Sequence, residues 1–264
     1  MNLCFSTLGC TESSMDEIIA IAERFGICGL EIRGVGGVMS NALIPDFAPD
    51  RIALTKSRLA DAGLRPIVVG TSCAFHNEKK LHAAAKEGRE SIDIAAALGA
   101  PYIRVFGNNL VGDPEECTAG VIAGIRDLCM YGAERGVTVL LEVHGDFNRV
   151  ETLGPIVDAL GHMDSFGLIW DIAHSHRVYH RDWREFYHAM RPYIRHIHVK
   201  DVRDADDALV LTGKGDIPIL DVIRTLISDG YSGHFSLEWE KKWHPELDSI
   251  DVALEHYTRL MSQI

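Results

Sequence analysis

Hydrophobic positions along the chain fall into short runs separated by longer segments of mixed polarity. Runs of strand length occur at 2–7, GLEIR at 29–33, RPIVVGTS at 65–72 and YIRVFGN at 102–108. Four more follow as VTVLLEVHGDF, FGLIWDIAHSH, IRHIHVKD and HFSLEWE. Their β-branched and aliphatic content is that of strands buried on both faces. The intervening segments carry helix signals. MDEIIAIAERFG opens near Ser13–Ser14, has Asp16 and Glu17 at its positive end, and stops at Gly26. Further helices are predicted at about 49–62 and 78–98, the latter ending at Gly99. The next opens after Asp113–Pro114, a cap followed by a first-turn proline, and ends at Gly136. The last four are predicted at about 152–160, 182–190, 217–229 and 246–262. Eight strand–helix alternations without a Pro/Ser linker or a low-complexity tract predict one α/β domain over 1–264, folded as a (β/α)8 TIM barrel. No GxGxxG follows the first strand, which weighs against a dinucleotide-binding fold.

Composition narrows the classes of function. A net charge of −12 argues against a protein that neutralises nucleic-acid phosphates. No apolar stretch approaches the roughly 20 residues that cross a bilayer, and MNLCFSTLGC shows no signal-peptide pattern. The six cysteines are scattered without a CxxC pair, as buried reduced thiols of a cytoplasmic protein would be.

The candidate chemistry lies at the carboxyl ends of the last four runs, which carry Glu142, Asp171, His198 and Glu238. Any one of them alone reads equally as a polar strand end or a satisfied core histidine. Four on consecutive strands, at the barrel end where active sites form, describe a single divalent-cation site. Three carboxylates and one imidazole suit Mn²⁺ best, with Mg²⁺, Co²⁺ and Zn²⁺ as alternatives. His196 shares the face of His198, one layer deeper, and is expected in the barrel interior. Lys200 also shares that face; it either reaches the site as an electrophile or pairs with Asp201 or Asp171. His144 and Asp146 could line the pocket or orient ligands. Glu31 and Arg33, at the end of the second strand, are weaker candidates. Phe75, His76, Trp170 and Trp239 are flat enough to face a sugar but are more readily core. Gly213, Gly215 and Asp216 in LTGKGDIP look like a phosphate cradle and read better as the turn before a helix. The absence of an Arg/Lys cluster favours a neutral substrate.

The segments LLEVHGDF, WDIAH, HIHVKD and SLEWE resemble the xylose isomerase-like TIM barrels, a superfamily of sugar isomerases and epimerases. The resemblance implies that Glu142, Asp171, His198 and Glu238 hold the metal, and that Glu142 and Glu238 also exchange the substrate proton. It implies that His174, in the D-x-x-H that begins at Asp171, contacts substrate oxygen, and that Arg203, a less secure match to the family's arginine after the strand-seven histidine, binds substrate. The expected activity is isomerisation or epimerisation of a sugar or keto-polyol by proton transfer through an enediolate. The same site would serve a dehydratase or a lyase that eliminates from 3-keto-glycosides. Endonuclease IV shares the barrel, but its three zinc ions need histidines on strands three and four and a D-x-H after strand seven, which this chain lacks. Sugar binding without catalysis is disfavoured by the intact ligand set. A small carbohydrate is the expected partner, a homo-oligomer is compatible, and nucleic acid and membrane are not expected.

Overall fold

Eight parallel strands close on themselves in the computed structural model, which describes residues 1–264 apart from the side chain of Glu78. They are β1 (Asn2–Ser6), β2 (Gly29–Ile32), β3 (Arg65–Ala74), β4 (Tyr102–Phe106), β5 (Thr138–Glu142), β6 (Phe166–Asp171), β7 (Ile194–Val199) and β8 (His234–Leu237). Each pairs with its chain neighbours, and β1 closes the barrel on β8 with Asn2 opposite His234. The helices are α1 (Met15–Phe25), α2 (Ile52–Asp61), α3 (Leu81–Leu98), α4 (Pro114–Ala133), α5 (Val150–Leu160), α6 (Ile172–Tyr179), α7 (Trp183–Met190), α8 (Ile219–Ser228) and α9 (Ile250–Met261). This is the (β/α)8 TIM barrel expected from the alternation.

Local chemistry sets the helix ends. Ser14 caps α1 in a reciprocal box with Glu17, and Gly26 ends it in the left-handed region at φ 64°. Asp113 accepts from the amides of Glu115 and Glu116 ahead of Pro114. Two elements were not anticipated. The run through Asp171 breaks into α6 at once, because Asp171 Oδ1 accepts from the amides of Ala173 and His174 at 2.8 and 3.2 Å. A hairpin of residues 201–203 and 208–210 follows β7, where a plain loop was expected. Its turn residue Asp207 takes φ 54°, a conformation aspartate tolerates better than most residues.

The main apolar core lies between strands and helices, where Phe5, Ile32, Val139 and Leu237 meet Ile18, Ile92, Leu128 and Ile223. Each such side chain contributes about 1.5–3 kcal/mol by its burial. A smaller cluster is separate from it: Cys4, Ile67, Val68, Leu140 and Ile169, with Tyr102 against it. Charged and polar side chains, Glu31, Arg104, His196 and His198 among them, are buried in the same strands toward their carboxyl ends. Among the described residues no helix is long and apolar enough to cross a membrane.

Candidate metal centre and active site

Glu142, Asp171, His198 and Glu238 converge as expected, each fully or almost fully buried, with one ligand atom apiece inside a 4.8 Å sphere of mutual distances. His198 Nδ1 lies 3.3 Å from Glu238 Oε2 and 3.9 Å from both Glu142 Oε2 and Asp171 Oδ2. Capping of α6 occupies Asp171 Oδ1 and leaves Oδ2 facing the cluster. Glu142 Oε2, Asp171 Oδ2 and His198 Nδ1 are buried without an aligned hydrogen bond, although Arg104 Nη1 lies 3.0 Å from the first and Lys200 Nζ 2.8 Å from the second. Buried polar atoms rarely stay unpaired, and hard oxygen donors with one imidazole fit a divalent cation.

Glu31 does more than its sequence position suggested. Its Oε2 accepts from His198 Nε2 at 2.9 Å, His196 Nε2 at 3.3 Å and Ser236 Oγ at 3.2 Å. With Nε2–H committed to Glu31, His198 presents Nδ1 to the carboxylates, an outer carboxylate orienting a ligand. Glu31, His196 and His198 also form a compact group capable of holding a metal. There, however, the facing atoms already pair with one another, whereas in the first group three carboxylates face one another around His198 Nδ1. His196 is barrel interior, as expected.

Two buried cations complete the site. Arg104 Nη1 stands 2.7 Å from Glu238, 3.0 Å from Glu142 and 3.8 Å from Glu31. Sequence reading passed over it, although a charge inside the apolar run YIRVF, two residues before the strand end, is a usable signal. Lys200 pairs with Asp171 at 2.8 Å, Glu238 at 2.7 Å and also Glu240, not with Asp201. Burial opposes charge on every member, and the neighbours decide each outcome. Burial and the Glu238 charge push Glu142 up to about 8, against Arg104 and His198. For Glu238, His198 and Lys200 outweigh burial and hold it well below the usual carboxylate range. Burial likewise works against His198 and Lys200, but Glu238 with Glu31, and Asp171 with Glu238, hold them well above their ordinary values.

His144 and His174 meet at the rim with ring centroids 4.2 Å apart. Burial, then Lys200, lowers the pKa of both, so they are neutral. Arg177 Nη1 donates to His174 Nδ1 at 3.1 Å, which leaves Nε2–H facing Asp171 Oδ2 at 3.9 Å. A cleft of about 240 Å³ opens over the cluster, its walls including Arg33, Ser72, Asn108, His144, Glu240 and Trp243. Its size suits a small ligand. A larger hollow of about 980 Å³ lies at the opposite end of the barrel, around Asn2, Tyr102 and His234, and contains none of these groups.

Other candidates lie elsewhere. Arg203 is not brought to the cluster: it sits half-exposed on the hairpin, bound to Asp206 at 2.7 Å. The correction has a simple cause, since the hairpin turns the chain out to solvent just after Lys200. Asp146 accepts from Leu110 N at 2.8 Å in a neighbouring loop. Trp170, Trp239 and Phe75 are core. The glycine-rich run is a cradle already filled: Gly213 N and Gly215 N donate to Asp201 Oδ2 at 2.8 and 2.9 Å.

Comparisons with known proteins agree with this fold. The fructoselysine 3-epimerase of Shigella flexneri is 23% identical over 155 residues, 56% of this chain; the match spans only 55% of that relative's length. Among solved structures, the IolI protein with a bound zinc atom superposes at a TM-score of 0.81, with 20% identity over 100% of this chain and 97% of that one. The D-allulose 3-epimerase of Methylomonas sp. in complex with D-allulose gives 0.78, with 18% identity over 100% and 97%. The probable 3-DHS dehydratase AsbF of Bacillus anthracis gives 0.80, with 16% identity over 99% of each chain. At these identities the structural likeness speaks for the fold. The family model for the xylose isomerase-like TIM barrel matches residues 19–260, nearly the whole chain, and the protein belongs to that family.

Proposed function

We propose that this protein is a divalent-metal-dependent isomerase or epimerase of a sugar or keto-polyol, moving a proton beside a carbonyl between Glu142 and Glu238 through an enediolate. One observation carries the reading: four ligand-type residues from successive strands converge beneath an open cleft. Glu142, Asp171, His198 and Glu238 would hold the cation, Mn²⁺ by its donor set, which when bound would supply Lewis-acid polarisation of a substrate carbonyl. Glu142 and Glu238 enter from β5 and β8 and both line the cleft. One removes the proton and the other returns it, to the opposite face for epimerisation or to the adjacent carbon for isomerisation. Arg104 holds the two carboxylates in register. His174 Nε2–H and His144 are the groups for substrate oxygens.

A second reading is dehydration, the activity named for the probable 3-DHS dehydratase that shares the fold; the buried acid for a departing hydroxyl is Glu142, whose carboxyl is pushed up to about 8. A panel of ketoses, inososes and 3-keto-glycosides, neutral and acidic, incubated in D₂O with Mn²⁺ separates the two. Deuterium at the carbon next to the carbonyl without change of formula is expected. A product lighter by one water makes the protein a dehydratase. No exchange and no water loss from any of them would overturn both.

A further inference from the structure

We propose that the cleft receives a substrate bearing an anionic group, carboxylate or phosphate, and that Arg33 is the side chain that anchors it. The inference deepens the proton-transfer reading by naming the substrate class, and it concerns the end of the substrate away from the reacting carbon.

Arg33 follows β2 and is only 5% exposed, yet it lines the cleft that holds Glu142 and Glu238. Its backbone is fixed: the amide donates to Thr7 Oγ1 at 2.7 Å, and Thr7 Oγ1 donates to Gly34 O at 2.8 Å. The guanidinium donates to Met39 O at 3.2 Å and Ser72 Oγ at 2.7 Å, both neutral acceptors. Among the described side chains no carboxylate oxygen lies within 4.0 Å of it, the limit for an ion pair. Arg104 and Lys200, equally buried, have three carboxylates each. Glu87, the acid on the neighbouring α3, gives an oxygen to the Ser72 amide instead.

A guanidinium withdrawn from water with no carboxylate in contact is costly, and its planar fork matches carboxylate or phosphate oxygens. The strand beside it is shaped to let it through: a Cβ at Gly70 would stand 2.9 Å from Arg33 Cδ and 3.2 Å from Ile32 O. Ser72, Asn108 and Trp243 share the wall and offer polar and flat surfaces for the body of the substrate. The sequence expectation of a neutral substrate came from the lack of a basic run. Here one arginine, separated by 39 positions from the serine that orients it, does the work that a run would signal.

Three ligands that differ only at carbon 6 test the proposal: D-fructose, D-fructuronate and D-fructose 6-phosphate. Binding is read from Trp243 fluorescence, with Trp243→Phe protein as the blank, so turnover is not needed. At least one anion is expected to bind tighter than D-fructose by about tenfold or more, and the preferred one tells carboxylate from phosphate. Arg33→Gln should close the gap, and Arg33→Lys should keep part of it. Equal binding of all three by the wild-type protein overturns the proposal, as does an anion preference that survives in Arg33→Gln. The wild-type comparison stands even where a variant fails to fold. Deuterium exchange on the same ligands keeps the two claims apart. Anion preference without exchange contradicts the proton-transfer reading alone, and exchange without preference contradicts the Arg33 assignment alone.

Discussion

Glu142→Gln and Glu238→Gln are each expected to lower the rate of proton exchange by about 10²–10⁴-fold, the range for loss of a positioned acid or base. The two differ in their effect on stability. Glu238 carries ion pairs of 2.7 Å to both Arg104 and Lys200. Its amide would leave two buried cations with one partner fewer. Glu142 is the crowded carboxylate, driven up to about 8 by burial and the Glu238 charge. Below that pH the carboxyl is largely protonated and the amide removes little charge, so Glu142→Gln should melt closer to the wild type than Glu238→Gln. Deuterium wash-in and thermal melting on both variants check the pair. Should both keep wild-type exchange on the true substrate, the two-carboxylate mechanism is wrong.

Arg104→Met should destabilise the protein by about 3–5 kcal/mol, the usual cost of leaving buried charges without their partner. For a chain of this size that lowers the melting temperature on the order of 10 °C. The reason is specific: one guanidinium nitrogen faces Glu31, Glu142 and Glu238, and methionine keeps the bulk but not the charge. Added Mn²⁺ should recover part of the loss by supplying positive charge to the same carboxylates. A melting temperature equal to the wild type would mean that Arg104 is not what balances the cluster.

Much of this was legible before any coordinates. Strand length, helix caps and the spacing of four ligand-type residues sufficed for the barrel and for which end carries the site. Alternation also placed His196 below His198 and turned Lys200 the same way. What was ranked low, Glu31, or missed, Arg104, came from strands whose register no single run reveals. Glu31 and Arg104 lie on β2 and β4, and their roles depend on closure bringing them opposite β7 and β8. Arg33, named only as a weaker candidate, has a role hidden for a related reason, since the neutrality of its partners is a matter of three-dimensional neighbours. Arg203, matched less securely through the resemblance, is carried away from the cluster by the hairpin that follows β7. In the GxGD run the expected turn was right, but only the fold shows the Asp201 carboxylate filling the cradle.

Elemental analysis of the purified protein, paired with melting before and after chelation, tests the four-residue site most directly. One divalent ion per chain is expected, with a melting temperature that falls on chelation, returns with Mn²⁺, and loses both responses in His198→Ala. Protein that carries no ion and melts identically with Mn²⁺ and with chelator would contradict the assignment of Glu142, Asp171, His198 and Glu238 as a metal centre.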